Sequence, residues 1–202
     1  MKITRWITPM MEENIYLIEE EKHLSVIDPG GLTEKLIEYI DDKDLKLEYI
    51  LLTHGHHDHI AAVNLLKEKY QPKIVCHKEE EGLLLDPRKN LSSLIGEEIS
   101  VVADVLVDEG DQIEFGEKIF EFIHTPGHTA GSMCIAFGND LFSGDMLFKG
   151  AIGRTDLPTA NPKKMEESIL KLKAIKEDYK VYPGHGEKTH LFYELANNFF
   201  FQ

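Results

Sequence analysis

Cysteine is nearly absent from this 202-residue chain: only Cys76 and Cys134 occur, inside the apolar runs KIVCH and SMCIAF, with no CxxC spacing. That excludes a cysteine zinc site or a redox dithiol, and both are expected to be buried reduced thiols. Basic residues are also few, 22 against 36 acidic, and a formal charge of −14 has the wrong sign for gripping a phosphate backbone, so nucleic acid is not an expected partner. No apolar run approaches the roughly 20 residues that span a bilayer. The opening MKITRWITPMMEENIYLIEE interrupts any signal-peptide core with Lys2, Arg5, Glu12 and Glu13, so no membrane association and a cytoplasmic location are expected. Repeats, low-complexity tracts and a linker-like composition shift are missing too, and residues 1–202 read as a single domain. With 42% hydrophobic and 29% charged residues, the chain has the composition of a globular protein with a sizeable core.

The hydrophobic pattern alternates strands and helices. NIYLIEE (14–20) and HLSVID (23–28) read as a hairpin, and Thr33 as the N-cap of a helix to about residue 42. YILLT (49–53) is a strand of the doubly covered kind, followed by a helix over 60–70 and a strand over 73–76. Residues 78–104 read as short helical pieces and loop, with no function assigned. Hairpin-rich strands follow at 105–107, 112–115, 119–123, 132–137 and 141–142. A helix over 165–175, a strand over 180–182 and a closing helix over 191–200 complete the chain, and the late phenylalanines Phe192, Phe199, Phe200 and Phe201 are expected to cover the core.

Histidine is abundant, at ten residues, and clustered. In Thr53-His54-Gly55-His56-His57-Asp58-His59 the strand pattern ends in extended backbone, where residues two apart point the same way. His54 and His56 then face one metal ion while His57 points elsewhere. Asp58 and His59 fall where a helix begins and suit a second ion nearby. Three later candidates, His128, Asp145 and His185, each directly follow a glycine that lets the chain turn sharply at a strand's end.

The ordered set HxHxDH, GH, GD and PGHG, spanning residues 53 to 186, resembles the metallo-β-lactamase superfamily. The resemblance implies an αββα four-layer sandwich, with two mixed β-sheets packed face to face and helices outside. It implies two divalent metal ions, zinc first and iron or manganese next, with His54, His56 and His128 on one, Asp58, His59 and His185 on the other, and Asp145 bridging them. An aspartate at 145 is similar to the glyoxalase II branch and unlike the lactamases with cysteine there, which makes antibiotic hydrolysis a minor reading. The run from Gly144 to Pro158, with GDMLF and GRTD, resembles compact glyoxalase II-like hydrolases and persulfide dioxygenases alike.

These features imply a dinuclear hydrolase of a small-molecule thioester such as a hydroxyacyl-glutathione. A hydroxide bridging the ions would attack the carbonyl, and Asp58 would orient it. Arg154 is the candidate anchor for an anionic substrate group; the other reading pairs it with Asp156 to hold their loop. Asp28 and His124 are candidates for orienting metal ligands, while His23, His77 and His190 are read as structural or surface residues. The alternatives are a persulfide dioxygenase with one iron on His54, His128 and Asp145, and a metal-binding module without turnover.

Overall fold

The computed structural model describes residues 1–202. Six strands form the first sheet in spatial order: β1 (Lys2–Ile7), β2 (Asn14–Glu20), β3 (His23–Ile27), β4 (Lys46–Leu51), β5 (Lys73–His77) and β6 (Val105–Val107). The first three are antiparallel neighbours, and β3 to β6 run parallel. The second sheet adds β7 (Gln112–Phe115), β8 (Lys118–His124), β9 (Met133–Phe137) and β10 (Asp140–Gly144), which form an antiparallel meander. A short ribbon, β11 (Leu147–Phe148) with β12 (Ala151–Ile152), leads on to β13 (Lys180–Pro183), parallel to β10, and to β14 (Thr189–His190) at the sheet edge.

Side-chain alternation explains how these sheets stack. Along β2, Tyr16 and Ile18 point toward the second sheet, where they share a core with Phe120, Phe122, Ile135, Phe137 and Phe142. Ile15 and Leu17 point the other way, toward Leu36 and Ile40 of helix α1 (Thr33–Lys43) and the segment holding α2 (His57–Ile60) and α3 (Val63–Tyr70). The outer face of the second sheet buries Cys134, Leu141 and Val181 against α5 (Pro162–Ala174) and α6 (Leu191–Asn197); a one-turn α4 (Glu81–Leu84) follows β5. The strand runs are apolar at consecutive positions because both faces of each sheet are covered, and each fully buried side chain contributes ~1.5–3 kcal/mol. The result is the αββα sandwich.

Some local expectations differ from the structure. KITRWI forms β1, an edge strand whose alternation is masked by half-buried polar positions. Thr33 is the first helical residue rather than the cap: Leu32 occupies that position at φ 54 and its side chain makes no capping bond. The helix over 60–70 is two pieces broken at Ala61–Ala62, and the last helix stops at Asn197. Asn198 then caps a separate 3-10 turn, Phe199–Phe201, by accepting from the Phe200 N–H. Of the late phenylalanines only Phe201 is in the core; Phe192, Phe199 and Phe200 are 43%, 79% and 48% exposed. Cys76 and Cys134 are buried and unpaired, as expected.

Topology gathers the polar residues. Parallel strands deliver their C-terminal ends to one edge, and ligands bind outside such ends. Asp28 follows β3, His54 to His59 follow β4, Asp145 follows β10 and His185 follows β13, while His128 lies on the turn between β8 and β9.

Candidate metal centre

His54, His56 and His128 are buried, and one ligand atom from each lies within 4.8 Å of the others; Asp58, His59 and His185 form a second such group. Asp145 stands between the groups. One carboxylate oxygen is 3.5 Å from His59 Nε2, and the other is 3.6 Å from His128 Nε2 and 3.7 Å from His185 Nε2. His57 belongs to neither group and lines the cavity above them.

The imidazoles are oriented from behind. His128 Nδ1 is 2.9 Å from the Arg154 carbonyl oxygen, His185 Nδ1 is 3.1 Å from the Met11 carbonyl oxygen, and His59 Nδ1 is 3.1 Å from Asp28 Oδ2. An oxygen that can only accept requires the proton on Nδ1, which makes Nε2 the ring atom turned toward the centre. His54 is reached through a relay: Thr53 donates its hydroxyl to Asp28 Oδ2 at 2.5 Å, and the Thr53 hydroxyl oxygen sits 3.3 Å from His54 Nδ1. Asp28 also accepts from the Thr53 N–H at 2.8 Å, so it touches the supports of two imidazoles.

The centre fits cations. Nε2 of His54, His56 and His59 and Oδ1 of Asp145 are buried without a hydrogen-bond partner, an arrangement that is costly in a bare protein and suited to metal coordination. Burial, reinforced by neighbouring imidazoles, pushes His54 well down and His56 to about 3, so both are neutral, the form that ligates. Burial opposes charge on His59 as well, but Asp58, Asp145 and Asp28 outweigh it and hold that imidazole protonated well above its ordinary range. Asp58 responds in turn: burial would raise it, and His59 and His185 bring it down. Close approach requires glycine at two positions. A Cβ on Gly184 would lie 2.2 Å from Asp145 Oδ1, and one on Gly30 would lie 1.5 Å from the Asp58 carbonyl oxygen.

Of two further candidates, His124 departs from the sequence reading and Arg154 shows features of both of its readings. His124 reaches no ligand; it stacks on His77 with ring centroids 3.7 Å apart, and its Nε2–H donates to the Ala130 carbonyl at 3.0 Å. Arg154 does pair with Asp156, donating from Nε and Nη2 at 2.7 and 2.8 Å, while lining the cavity.

Three buried residues near the site went unread. Glu80, just past β5, is wholly buried and accepts from the Gly55 N–H, the Thr129 hydroxyl and the Gly131 N–H at 2.8 to 2.9 Å, tying the His54–His56 loop to the His128 turn. Asn90 accepts from the His57 N–H through its carbonyl at 2.8 Å. Glu13 lies beneath Gly30, with both carboxyl oxygens unpartnered, and burial holds it well above the usual carboxylate range. The only sequence signal for these was an acidic or amide residue beside an apolar run, which dozens of surface positions share.

A polar His/Asp centre at one edge of a double-sheet sandwich defines a metal-dependent hydrolase scaffold. The profile of the metallo-beta-lactamase superfamily matches residues 10–185, and the chain belongs to that superfamily. It is 35% identical over 203 residues to the probable metallo-hydrolase YqgX of Bacillus subtilis, covering 98% of this chain and 96% of that protein. To the hydroxyacylglutathione hydrolase GloC of Haemophilus influenzae it is 34% identical, covering 93% and 92%. Among solved structures, the BLEG-1 B3 metallo-beta-lactamase superposes with a TM-score of 0.90 at 33% identity over 100% of both chains. A protein solved in a di-iron-bound form superposes at 0.86 and 33% identity over 98% and 99%. ETHE1 from Myxococcus xanthus superposes at 0.81 and 26% identity, covering 98% of this chain and 83% of that one. No helix is long and apolar enough to cross a membrane.

Proposed function

We propose that this chain is a single-domain, dinuclear hydrolase of small-molecule thioesters, working with two divalent metal ions, zinc foremost. The observation that carries the reading is the second group: Asp58, His59 and His185 stand together beside the first, with Asp145 between the two. A structural site would need one closed set of about four ligands. In this reading His54, His56 and His128 hold one ion, Asp58, His59 and His185 the other, and Asp145 both. Bound there, the ions supply Lewis acidity and lower the pKa of water.

The chain's own groups do the rest. Asp58 accepts a hydrogen bond from the attacking water and fixes its approach to the carbonyl. The Nδ1 contacts to Asp28, Arg154 and Met11 keep the imidazoles from rotating away. Arg154, with its guanidinium aligned by Asp156, lies beside the cavity where an anionic part of the substrate would rest. A thiolate is a good leaving group, so no strong general acid is required. Names borne by similar proteins agree in part: GloC is a hydroxyacylglutathione hydrolase and BLEG-1 a β-lactamase.

Elemental analysis of protein produced with zinc and iron both present tests this reading. About two ions per chain, falling to about one in His59→Ala, together with turnover of S-lactoylglutathione or a simpler thioester, is the expected result. The likeness to ETHE1 favours a second reading, a mononuclear iron persulfide dioxygenase using His54, His128 and Asp145. One iron per chain, indifferent to His59, with oxygen consumed on glutathione persulfide, would replace the hydrolase by that enzyme. Hydrolysis of a β-lactam in preference to every thioester would shift the substrate class.

A further inference from the structure

The cavity above the metal centre, about 530 Å³, is of the size that holds small organic ligands. Once the groups assigned to the ions are set aside, its walls are uneven in chemistry. Met11, Leu91, Phe148, Ile152 and Leu157 form an apolar wall, and the only other polar side chains are His57 and Arg154. Apolar residues close to Met11 and Leu91 in the sequence are exposed as well. Met10 and Met11 are 85% and 46% exposed, and Leu94 and Ile95 are 78% and 49% exposed. Met11 and Leu91 bring these two segments together at the cavity.

Leu91 is held in place there. Its backbone is left-handed, at φ 70. Seven other non-glycine residues share that conformation, but Leu91 is the one that lines this cavity, and the residue before it is bonded to the loop carrying the histidine cluster. The preceding Asn90 is wholly buried. Its amide donates to the Ile99 carbonyl at 2.8 Å, its side-chain oxygen accepts from the Ser92 N–H at 3.0 Å, and its carbonyl accepts from the His57 N–H. A strained residue over-determined by its surroundings beside a reaction centre is characteristic of a ligand clamp.

We propose that this wall binds the acyl part of the substrate as an uncharged hydrocarbon chain, with Leu91 as a specificity-determining residue. The inference rests on the thioester reading and names its substrate class. The scissile carbonyl has to lie beside Asp58 and Asp145, so the first few carbons attached to it meet the apolar wall of the same cavity. The polar thiol carrier is left His57 and Arg154, the remaining polar side chains of the lining. A hydroxyl on the acyl chain would find no partner among Met11, Leu91, Phe148, Ile152 and Leu157, and its burial would cost affinity.

The test uses the metal-loaded enzyme and acyl thioesters of one small neutral thiol: acetyl, propanoyl, butanoyl, hexanoyl and lactoyl. Expected is a rise in kcat/KM of about fourfold per methylene, with lactoyl about tenfold below propanoyl. In Leu91→Gly the rise should flatten to about twofold or less per methylene, and the thermal midpoint should not fall, because glycine adopts this φ without strain. Phe148→Ala should flatten the series as well. A flat or descending series in the wild type, or a full slope kept in both variants, overturns the acyl assignment while leaving the thioester reading intact. A slope that appears only when the thiol is lengthened also overturns it, by putting the hydrocarbon on the leaving group. No hydrolysis of any member overturns the thioester reading and this inference with it.

Discussion

Glu80 accepts a hydrogen bond from the hydroxyl of Thr129 at 2.9 Å, across the gap between the two sheets' loops. The same carboxylate holds the Gly55 and Gly131 N–H groups, so the loops carrying His56 and His128 are spaced by one side chain that touches neither imidazole.

Removing that spacer should be costly. Glu80→Ala leaves two buried N–H groups and a hydroxyl without their acceptor, and a loss of ~2–5 kcal/mol is expected in urea unfolding. A loss below ~1 kcal/mol would mean that the loops relax and find other partners.

Glu80 also sets a pH dependence. Burial lifts its carboxyl from 4.5 to about 7 against the hydrogen bonds that pull it down. The folded chain therefore binds a proton more readily than the unfolded one, and stability falls as pH rises from about 4.5 to about 7. In chelator-treated protein, unfolding free energies across this window should drop more steeply for the wild type than for Glu80→Gln. Parallel profiles would contradict the assignment.

Asp28→Asn should weaken metal binding by about 10- to 100-fold, read by competition with a chromophoric chelator, because the carboxylate supports His59 directly and His54 through Thr53. Asparagine tolerates the left-handed backbone at this position, φ 49, so the fold should persist. Unchanged affinity would reduce Asp28 to a turn residue.

His57 and Asp58 are neighbours with opposite forecasts. His57→Ala should retain the wild-type metal content, since its side chain belongs to neither ligand group. Asp58→Ala should lose at least ~100-fold in kcat with the circular dichroism spectrum unchanged. Metal loss in the first variant, or near-normal turnover in the second, would refute the division of roles.

Cys76 and Cys134 should be inert in the native state. Burial raises both thiols to about 12, and only the thiolate reacts with disulfide reagents. Ellman titration should find no fast-reacting thiol before denaturation and both after it.

The alternation of HGHHDH made the first pair legible, because extended backbone turns His54 and His56 the same way, while His57 already opens α2. Strand ends were legible for the same reason: glycine before His128, Asp145 and His185 marks a turn, and a turn after an apolar run marks a sheet edge. Residues whose role depends on long-range packing were not. Glu80 is one of three consecutive glutamates, and only the docking of the His128 turn, some fifty residues later, distinguishes it. His124 misled for the complementary reason. Four residues from His128 along the chain, it lies at the end of a strand that carries it toward His77 instead. KITRWI was not legible as the strand it forms because polar residues in it are half buried at the sheet edge.

His185 occupies a loop pinned by residues from the opposite end of the chain. Asn14 donates its amide to the Pro183 and Gly186 carbonyls at 2.9 and 3.0 Å, and Tyr16 donates its hydroxyl to Pro183 at 2.7 Å. During synthesis, the first strands must therefore wait until the segment through Gly186 has left the ribosome before Asp58, His59 and His185 can assemble. A nascent chain stalled before Pro183 would carry the His54–His59 segment without His185, so the group of Asp58, His59 and His185 closes only after that segment is made.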